Sequence, residues 1–434
     1  MSQTLSYAVD DPTRVASRFS HVVPLAFVTY SLAFLDRVNY GYAEAAGMAH
    51  TLGIGPKTAA MLPALFFPGY CLLQIPAANW ASRRNVKWLV FYALLLWGLL
   101  SGLTGILTNV KLLMADRLVL GAVEGVVLPA MLVYLTRWFT KPQRSRANAL
   151  LILANPVTMM FASLVSGLLI THFNVHKFAG FEGWQMMFLA EGVPSIIWAF
   201  LWLFLADERP GEARWLAPAE SQAVQQQLDD EQRELKHVPN YWAAFADRRV
   251  VIWSLMYLCF SAAAYGFMFW LPTILKARAA PNSRAWIIYA TIPYFLGMFS
   301  MMLVSWASDR SLQRRPYVAG SMFVGCAAFC VSFLAGPQHF WIAFAGLIVV
   351  GSCIYTPCGP IWAWMSDLLP RNVVGESMAL VNTAGAVGGF LGSYFVGVLT
   401  SPGHPAPGFA VMAACFAAAG VLAMIVRPAN TGKA

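Results

Sequence analysis

Runs of about twenty apolar residues return along the whole of this 434-residue chain, and no other feature narrows its folding options as far. An apolar run of 18 or more residues matches the hydrocarbon thickness of a bilayer. Inside lipid only helices and closed barrels satisfy every backbone donor and acceptor. The runs predict twelve spans over residues 20–46, 56–80, 87–108, 112–138, 146–171, 184–206, 248–276, 285–308, 316–335, 338–365, 372–400 and 406–427. Charged residues make up only 11% of the chain, against about 25% in soluble domains. The expected fold is therefore an all-α membrane protein of twelve transmembrane helices.

The positive charges follow the loops. Loops on one side hold "SRRNVK", "RWFTKPQRSR" and "SDRSLQRRP". Those on the other hold little beyond Lys57, Lys111, Lys177 and the Lys276/Arg278/Arg284 group. With both termini inside, 21 of the 29 Lys and Arg residues are cytoplasmic, 6 external and 2 within spans. The positive-inside rule therefore predicts cytoplasmic N and C termini. The net charge of +9 reflects this topology and not a nucleic-acid surface. Residues 1–19 show no apolar core with a small-residue cleavage site and read as a cytoplasmic tail, as do residues 428–434.

The long polar segment 207–247 divides the spans six and six, predicting bundles over 20–206 and 248–427 joined by a cytoplasmic linker. Traces of duplication support two pseudo-symmetric bundles. "WASRR" at Trp80–Arg84 returns as "WASDR" at Trp306–Arg310, 226 residues later, and Arg144–Asn155 aligns with Arg371–Asn382 at an offset of 227.

Charges inside the spans need a reason. "LDRVNYGYA" places Asp36 and Arg37 in span 1, and "ADRLVLGAVEG" places Asp116, Arg117 and Glu124 in span 4. Each charge at mid-bilayer costs about 2.5–3.5 kcal/mol on insertion scales. At 1.5 Å rise per residue, Asp36 and Glu124 lie about 15 and 18 Å from the outer ends of their spans, similar depths. Arg117 and Glu124, seven residues apart, share a helix face but are about 10 Å apart along it. A purely structural reading would have these groups hold spans 1 and 4 together. Desolvation often cancels the attraction in buried ion pairs, however, so charges that change partners during a cycle explain their presence better. Arginine binds carboxylate bidentately, and a protonated acid would free its arginine for an incoming anion.

Six plus six helices, a long central loop and "SDRSLQRRP" between spans 8 and 9 resemble the major facilitator superfamily. "LDRVNYGYA", "RLVLGAVEGVVLPAMLVYLTRWF", "RANAL", "NPVT", "GWQMMFLAEGVPS" and "LADERPGEARWL" resemble, more narrowly, its anion:cation symporters, whose members carry hydroxyphenylacetate, phthalate, tartrate or sugar acids such as galactonate. The resemblance implies proton-coupled uptake of a small organic carboxylate across a bacterial inner membrane by a monomer. Arg37 and Arg117 would hold the anion, Asp36 and Glu124 would bind protons, and H⁺ would be the coupling ion without other cofactors. Asp309 and Arg310 would form a cytoplasmic clamp. The equivalent first-half loop, "NWASRRN", lacks the acid, which argues against a matching clamp there.

Further substrate-binding candidates are Tyr70 beside Pro68 and Gly69 in span 2, and Asn155 and Asn382 at pseudo-symmetric positions in spans 5 and 11. Tyr355 and Trp362 join them in span 10, where Pro357, Gly359 and Pro360 interrupt the helix. Glu191 reads as a structural partner. His172 and His176 have metal-ligand spacing without a third ligand, and the seven cysteines lie in apolar segments as packing residues. No P-loop or nucleophile–base pair points to ATP drive or enzyme chemistry. The remaining alternative is an exporter or exchanger with the same fold.

Overall fold

A computed structural model describes residues 12–233, 247–278, 285–311, 313–336, 338–368, 374–400 and 406–426. Its helices are α1 (Pro12–Ala46), α2 (Met48–Thr51), α3 (Pro56–Ala64), α4 (Phe66–Arg83), α5 (Val86–Ile106), α6 (Val110–Glu124), α7 (Val127–Thr136), α8 (Lys141–Ile152), α9 (Ala154–Val175) and α10 (Gly183–Leu205). They continue with α11 (Pro218–Arg233), α12 (Arg248–Arg278), α13 (Ala285–Ser311), α14 (Arg314–Ala335), α15 (Phe340–Tyr355), α16 (Cys358–Leu368), α17 (Val374–Leu399) and α18 (Ala406–Ile425). Among the described residues, these helices supply twelve spans long and apolar enough to cross a membrane. Large side chains such as Phe204, Leu334 and Trp341 stand more than half exposed along them, as lipid contact allows. The expected tails 1–11 and 428–434 and the linker stretch 234–246 lie outside the described residues.

Polar caps set several helix starts. Asn85 and Asn109 accept backbone N–H bonds at the heads of α5 and α6, and Glu182 with Gln185 forms a capping box on α10. Four spans are broken in mid-course, at Leu65, at Gly125–Val126, at Leu153 and at Thr356–Pro357. Each break falls three or four residues before a proline, namely Pro68, Pro129, Pro156 or Pro360. A proline ring crowds the carbonyl four residues earlier and withdraws a donor from the ladder. Pro24, Pro194, Pro272 and Pro293 nevertheless sit within continuous helices, so proline permits a break without dictating it.

Contacts between the first six and the last six spans gather on one side of the bilayer. There α1 packs on α12, α9 on α13, and α3 and α4 on α17. Gly41 brings the α1 backbone so close to α12 that a Cβ would stand 2.6 Å from the Phe269 carbonyl oxygen. Lys276 Nζ donates to the Ala45 carbonyl at 2.7 Å, and the Ser163 and Thr291 hydroxyls meet at 2.5 Å. Towards the other side, the principal partners of α7 and α8 come from the first six spans, and those of α16 from the last six. Among the described residues, these contacts seal one face.

Helix α1 begins at Pro12, earlier than the span expected from residue 20, because its first turns have partners in the linker. Arg18 is fully buried, donates to the Trp138 carbonyl at 3.3 Å and lies 3.8 Å from Glu220 of α11. Trp215 stacks on Trp138 and on His21. The acid absent from "NWASRRN" is replaced from the linker: Glu208 accepts from the Val86 and Lys87 amides at 2.9 and 2.8 Å and pairs with Arg137. Sequence spacing missed this contact because Glu208 lies 122 residues after Val86.

Candidate functional site

The break after Glu124 lies where spans 2 and 4 touch most closely. A Cβ on Gly69 would collide with the Leu118 carbonyl oxygen, and one on Gly121 with that of Phe66. These glycines in "FFPGY" and "LGAVEG" bring α4 onto α6, and so place Tyr70 and Glu124 against the same stretch of α1.

Arg37 occupies the centre of that junction, 5% exposed. Its Nε donates to Glu124 Oε1 at 2.8 Å, and Nη2 donates to the same oxygen. Nη1 donates to the Tyr265 hydroxyl of α12 at 3.3 Å, across the seam between the two sets of spans. The guanidinium stands over the rings of Tyr70, Phe66 and Phe34 at 4.7, 5.2 and 5.3 Å. Glu124 Oε2 is buried without a partner. One oxygen therefore takes both bonds, and the fork geometry that arginine offers a carboxylate is only half used.

The neighbouring charges do not join this pair. Successive residues of a helix point about 100° apart. Asp36 therefore faces α5 when Arg37 faces α6. Asp36 Oδ1 accepts from Asn39 Nδ2 at 2.8 Å and from the Ser101 hydroxyl. Arg117 donates from Nη2 to the Thr104 hydroxyl at 2.7 Å, and Thr104 donates to Asp116 Oδ2 at 2.7 Å. Its guanidinium lies between the rings of Tyr40 and Phe188, at 5.7 and 5.2 Å. Arg117 is 2% exposed, and among the described residues no carboxylate pairs with it within the ion-pair distance of 4.0 Å. The expected set of two cations and two acids is thus one ion pair flanked by an acid and a cation, each held by neutral hydroxyl or amide groups.

Tyr70 and Glu124 adjoin Arg37 directly. Asn155, half-buried, stands beside the Tyr30 hydroxyl, which in turn lies among Arg37, Tyr70 and Tyr265. Tyr355 is buried at the end of α15 with its hydroxyl unpartnered, within electrostatic range of Tyr265 and Tyr30. Trp362 is half-buried, with its ring edge-on to Tyr257 at 5.2 Å. Asn382 is half-buried on α17, and no described hydrogen bond ties it to this group. Asp309 and Arg310 are exposed at the end of α13, where Asp309 pairs with Arg314 and Arg310 stands over Trp306. No group of three or more metal-ligating side chains occurs among the described residues.

Sequence reasoning did not pick out Tyr265, Tyr30, Ser101 or Thr104. The nearest signal for Tyr265 was its place in the chain. It lies in span 7, 228 residues after Arg37 and just past the 226–227 duplication offset, which aligns Arg37 itself with Ala263 or Ala264.

The sequence profile described as Major Facilitator Superfamily matches residues 26–393. The chain is 28% identical over 430 residues to a protein of Agrobacterium vitis described as "Putative tartrate transporter", covering 98% of each chain. It is 27% identical to the quinolone resistance transporter of Acinetobacter baumannii, over 87% of this chain and 86% of that one. Among solved structures, the D-xylose-proton symporter superposes with a TM-score of 0.76 at 15% identity, over 96% of this chain and 99% of that one. At that identity the match speaks for the fold alone.

Proposed function

This chain belongs to the Major Facilitator Superfamily and is a multi-pass membrane transporter, not an enzyme, and from that premise we propose that it takes up a small organic carboxylate by alternating access, together with protons. One observation carries the reading: a buried arginine at the seam between the halves is neutralised by a single oxygen of Glu124 while touching Tyr265 of the other half. A substrate carboxylate has the same chemistry as the Glu124 side chain and can replace it. A proton arriving on Glu124 cancels the charge that holds Arg37. The freed guanidinium then takes the substrate in its full fork. Arg117, without a carboxylate of its own, offers a second cation to the substrate, and Asp36 a second proton site.

In this reading residues 20–206 and 248–427 rock as two bundles joined by the 207–247 linker, with both termini cytoplasmic. The sealed face is then the outer one. Tyr70, Asn155, Tyr355, Trp362 and Asn382 line the path, and Asp309 with Arg310 clamps the inner face when it closes. The relative described as a tartrate transporter suits a hydroxy acid. The quinolone resistance relative favours a second reading, export of an organic anion on the same fold.

A thermal-shift screen of organic acids in mildly acidic buffer tests the site. A ligand should stabilise the parent but neither Arg37→Ala nor Arg117→Ala, and equal shifts in all three would refute the assignment. In proteoliposomes, Glu124→Gln should keep exchange of that ligand while losing its proton-driven accumulation. Uptake that survives collapse of the proton gradient would refute the coupling. Counterflow without any gradient, combined with outward-only net flux, would favour export.

A further inference from the structure

Glu191 is a buried acid with no place in the exchange just described. It lies eight residues into α10, about 12 Å along the axis from the end of that helix on the sealed side. It is 4% exposed. Ser166 of α9 donates to its Oε1 at 2.6 Å, and its Oε2 is buried with no partner.

Its polar surroundings come largely from α1. The Asn39 amide that donates to Asp36 also faces Glu191, and Asp36 itself lies within electrostatic range. The Tyr42 hydroxyl sits beside Glu191, 1% exposed for the residue and unpartnered, and Asn39 Oδ1 and Asp36 Oδ2 are also buried without partners. From α5 the group on this side is Ser101, donating to Asp36. The nearest cation is Arg117 of α6, whose guanidinium lies over Phe188, three residues before Glu191, and is engaged by Thr104. Among the described residues neither Asp36 nor Glu191 enters an ion pair.

Two neighbouring buried carboxyl groups outside any ion pair, with Arg117 acting on Asp36 only from a distance and Asp116 opposing it, do not both ionise. Poor solvation penalises each charge and mutual repulsion penalises the second. We propose that Glu191 and Asp36 form an acid pair that holds one proton in common, a proton-binding site separate from the Glu124–Arg37 pair. Transfer within the pair breaks one O–H bond and forms another, and the negative charge moves the opposite way, so nothing else is consumed. A proton held there keeps the interior near neutrality while Arg37 changes partners. This role deepens the proton-coupled reading above and rests on it.

Infrared pH-difference spectroscopy of the purified protein in lipid tests the pair without any substrate. The parent should show a protonated-carboxyl band near neutral pH. Glu191→Gln and Asp36→Asn should each shift that band and its titration, because the acid that remains holds its proton alone, and the two substitutions together should abolish it. Glu124→Gln should leave it in place. Ser166→Ala, which keeps both acids and removes one donor, should shift the band frequency without abolishing it. A band unmoved by both Glu191→Gln and Ser166→Ala would overturn the proposal. So would a band that vanishes only in Glu124→Gln, or one that appears only when sodium is withdrawn, which would mark a sodium site. Failure of proton-driven uptake in the parent would instead strike the transport reading and leave the acid pair standing.

Discussion

The two halves of this molecule share an architecture and differ in what they bury. The interior of the first six spans holds Asp36, Arg37, Asp116, Arg117, Glu124 and Glu191, all nearly inaccessible. The described interior of the last six spans buries hydroxyl groups such as Ser261, Ser321, Ser332, Thr356 and Ser393, and the charges of its described span residues stand at span ends. Arg37 of the first half meets Tyr265 of the second. Duplication supplied two similar frames. One carries the charge chemistry, and the other presents an aromatic wall with a single hydroxyl aimed at the key arginine.

The comparison predicts very unequal consequences for changes in the two halves. The largest effect should come from Arg37→Ala. It removes charge-assisted hydrogen bonds worth roughly 3 kcal/mol and leaves Glu124 buried and unpaired, so substrate affinity should fall at least about a hundredfold. Arg37→Lys should not restore it, because an ammonium cannot reproduce the fork. A ligand titration by thermal shift measures both variants, and retained affinity would remove the charged half from its assigned role.

Next comes the seam. Gly41→Val would drive a branched side chain into the Phe269 backbone, where even a Cβ stands 2.6 Å from the carbonyl oxygen. Closure of that face should be lost and turnover should drop by about tenfold, the cost of a clash worth roughly 1–3 kcal/mol. Accessibility of single cysteines introduced along α3 and α17 should rise in parallel, and unchanged accessibility would show that the contact does not seal the face.

A smaller effect belongs to Tyr265→Phe, which deletes one neutral-to-charged bond of 3.3 Å and keeps the ring. A loss of about 1.5 kcal/mol at most corresponds to about tenfold in KM with kcat nearly kept. If kcat falls instead, the second half takes part in the coupling and is more than a wall. Smallest of all is Asp309→Asn, because its ion pair with Arg314 has the acid 66% exposed. Such pairs contribute about 0–1 kcal/mol, so uptake should change by less than about fivefold. A complete loss would raise the clamp above a surface pair.

Much of this was legible before any coordinates. The apolar runs located every span, because a helix in lipid must satisfy its own backbone and present apolar side chains over a fixed thickness. Arg37, Glu124 and Tyr70 were identifiable because a charge, or an aromatic beside a Pro-Gly break, is rare in such a setting. Glu208 was not identifiable as the partner of Arg137, nor Ser101 as the partner of Asp36. Each lies on a segment distant in sequence, and a serine in a span carries no signal of its own.

By itself the sequence determined how many helices are long and apolar enough to cross the bilayer, which side the basic loops favour, and that charges fall inside spans 1 and 4. These follow from local composition, which the bilayer reads one segment at a time. Only the tertiary structure decided that Arg37 pairs with Glu124 while its neighbour Asp36 turns away, that Tyr265 reaches across the seam, and that Glu191 is buried within electrostatic range of Asp36. Pairings of this kind depend on the rotation and approach of whole helices, set by close contacts such as Gly69 on Leu118, and no single segment contains that information.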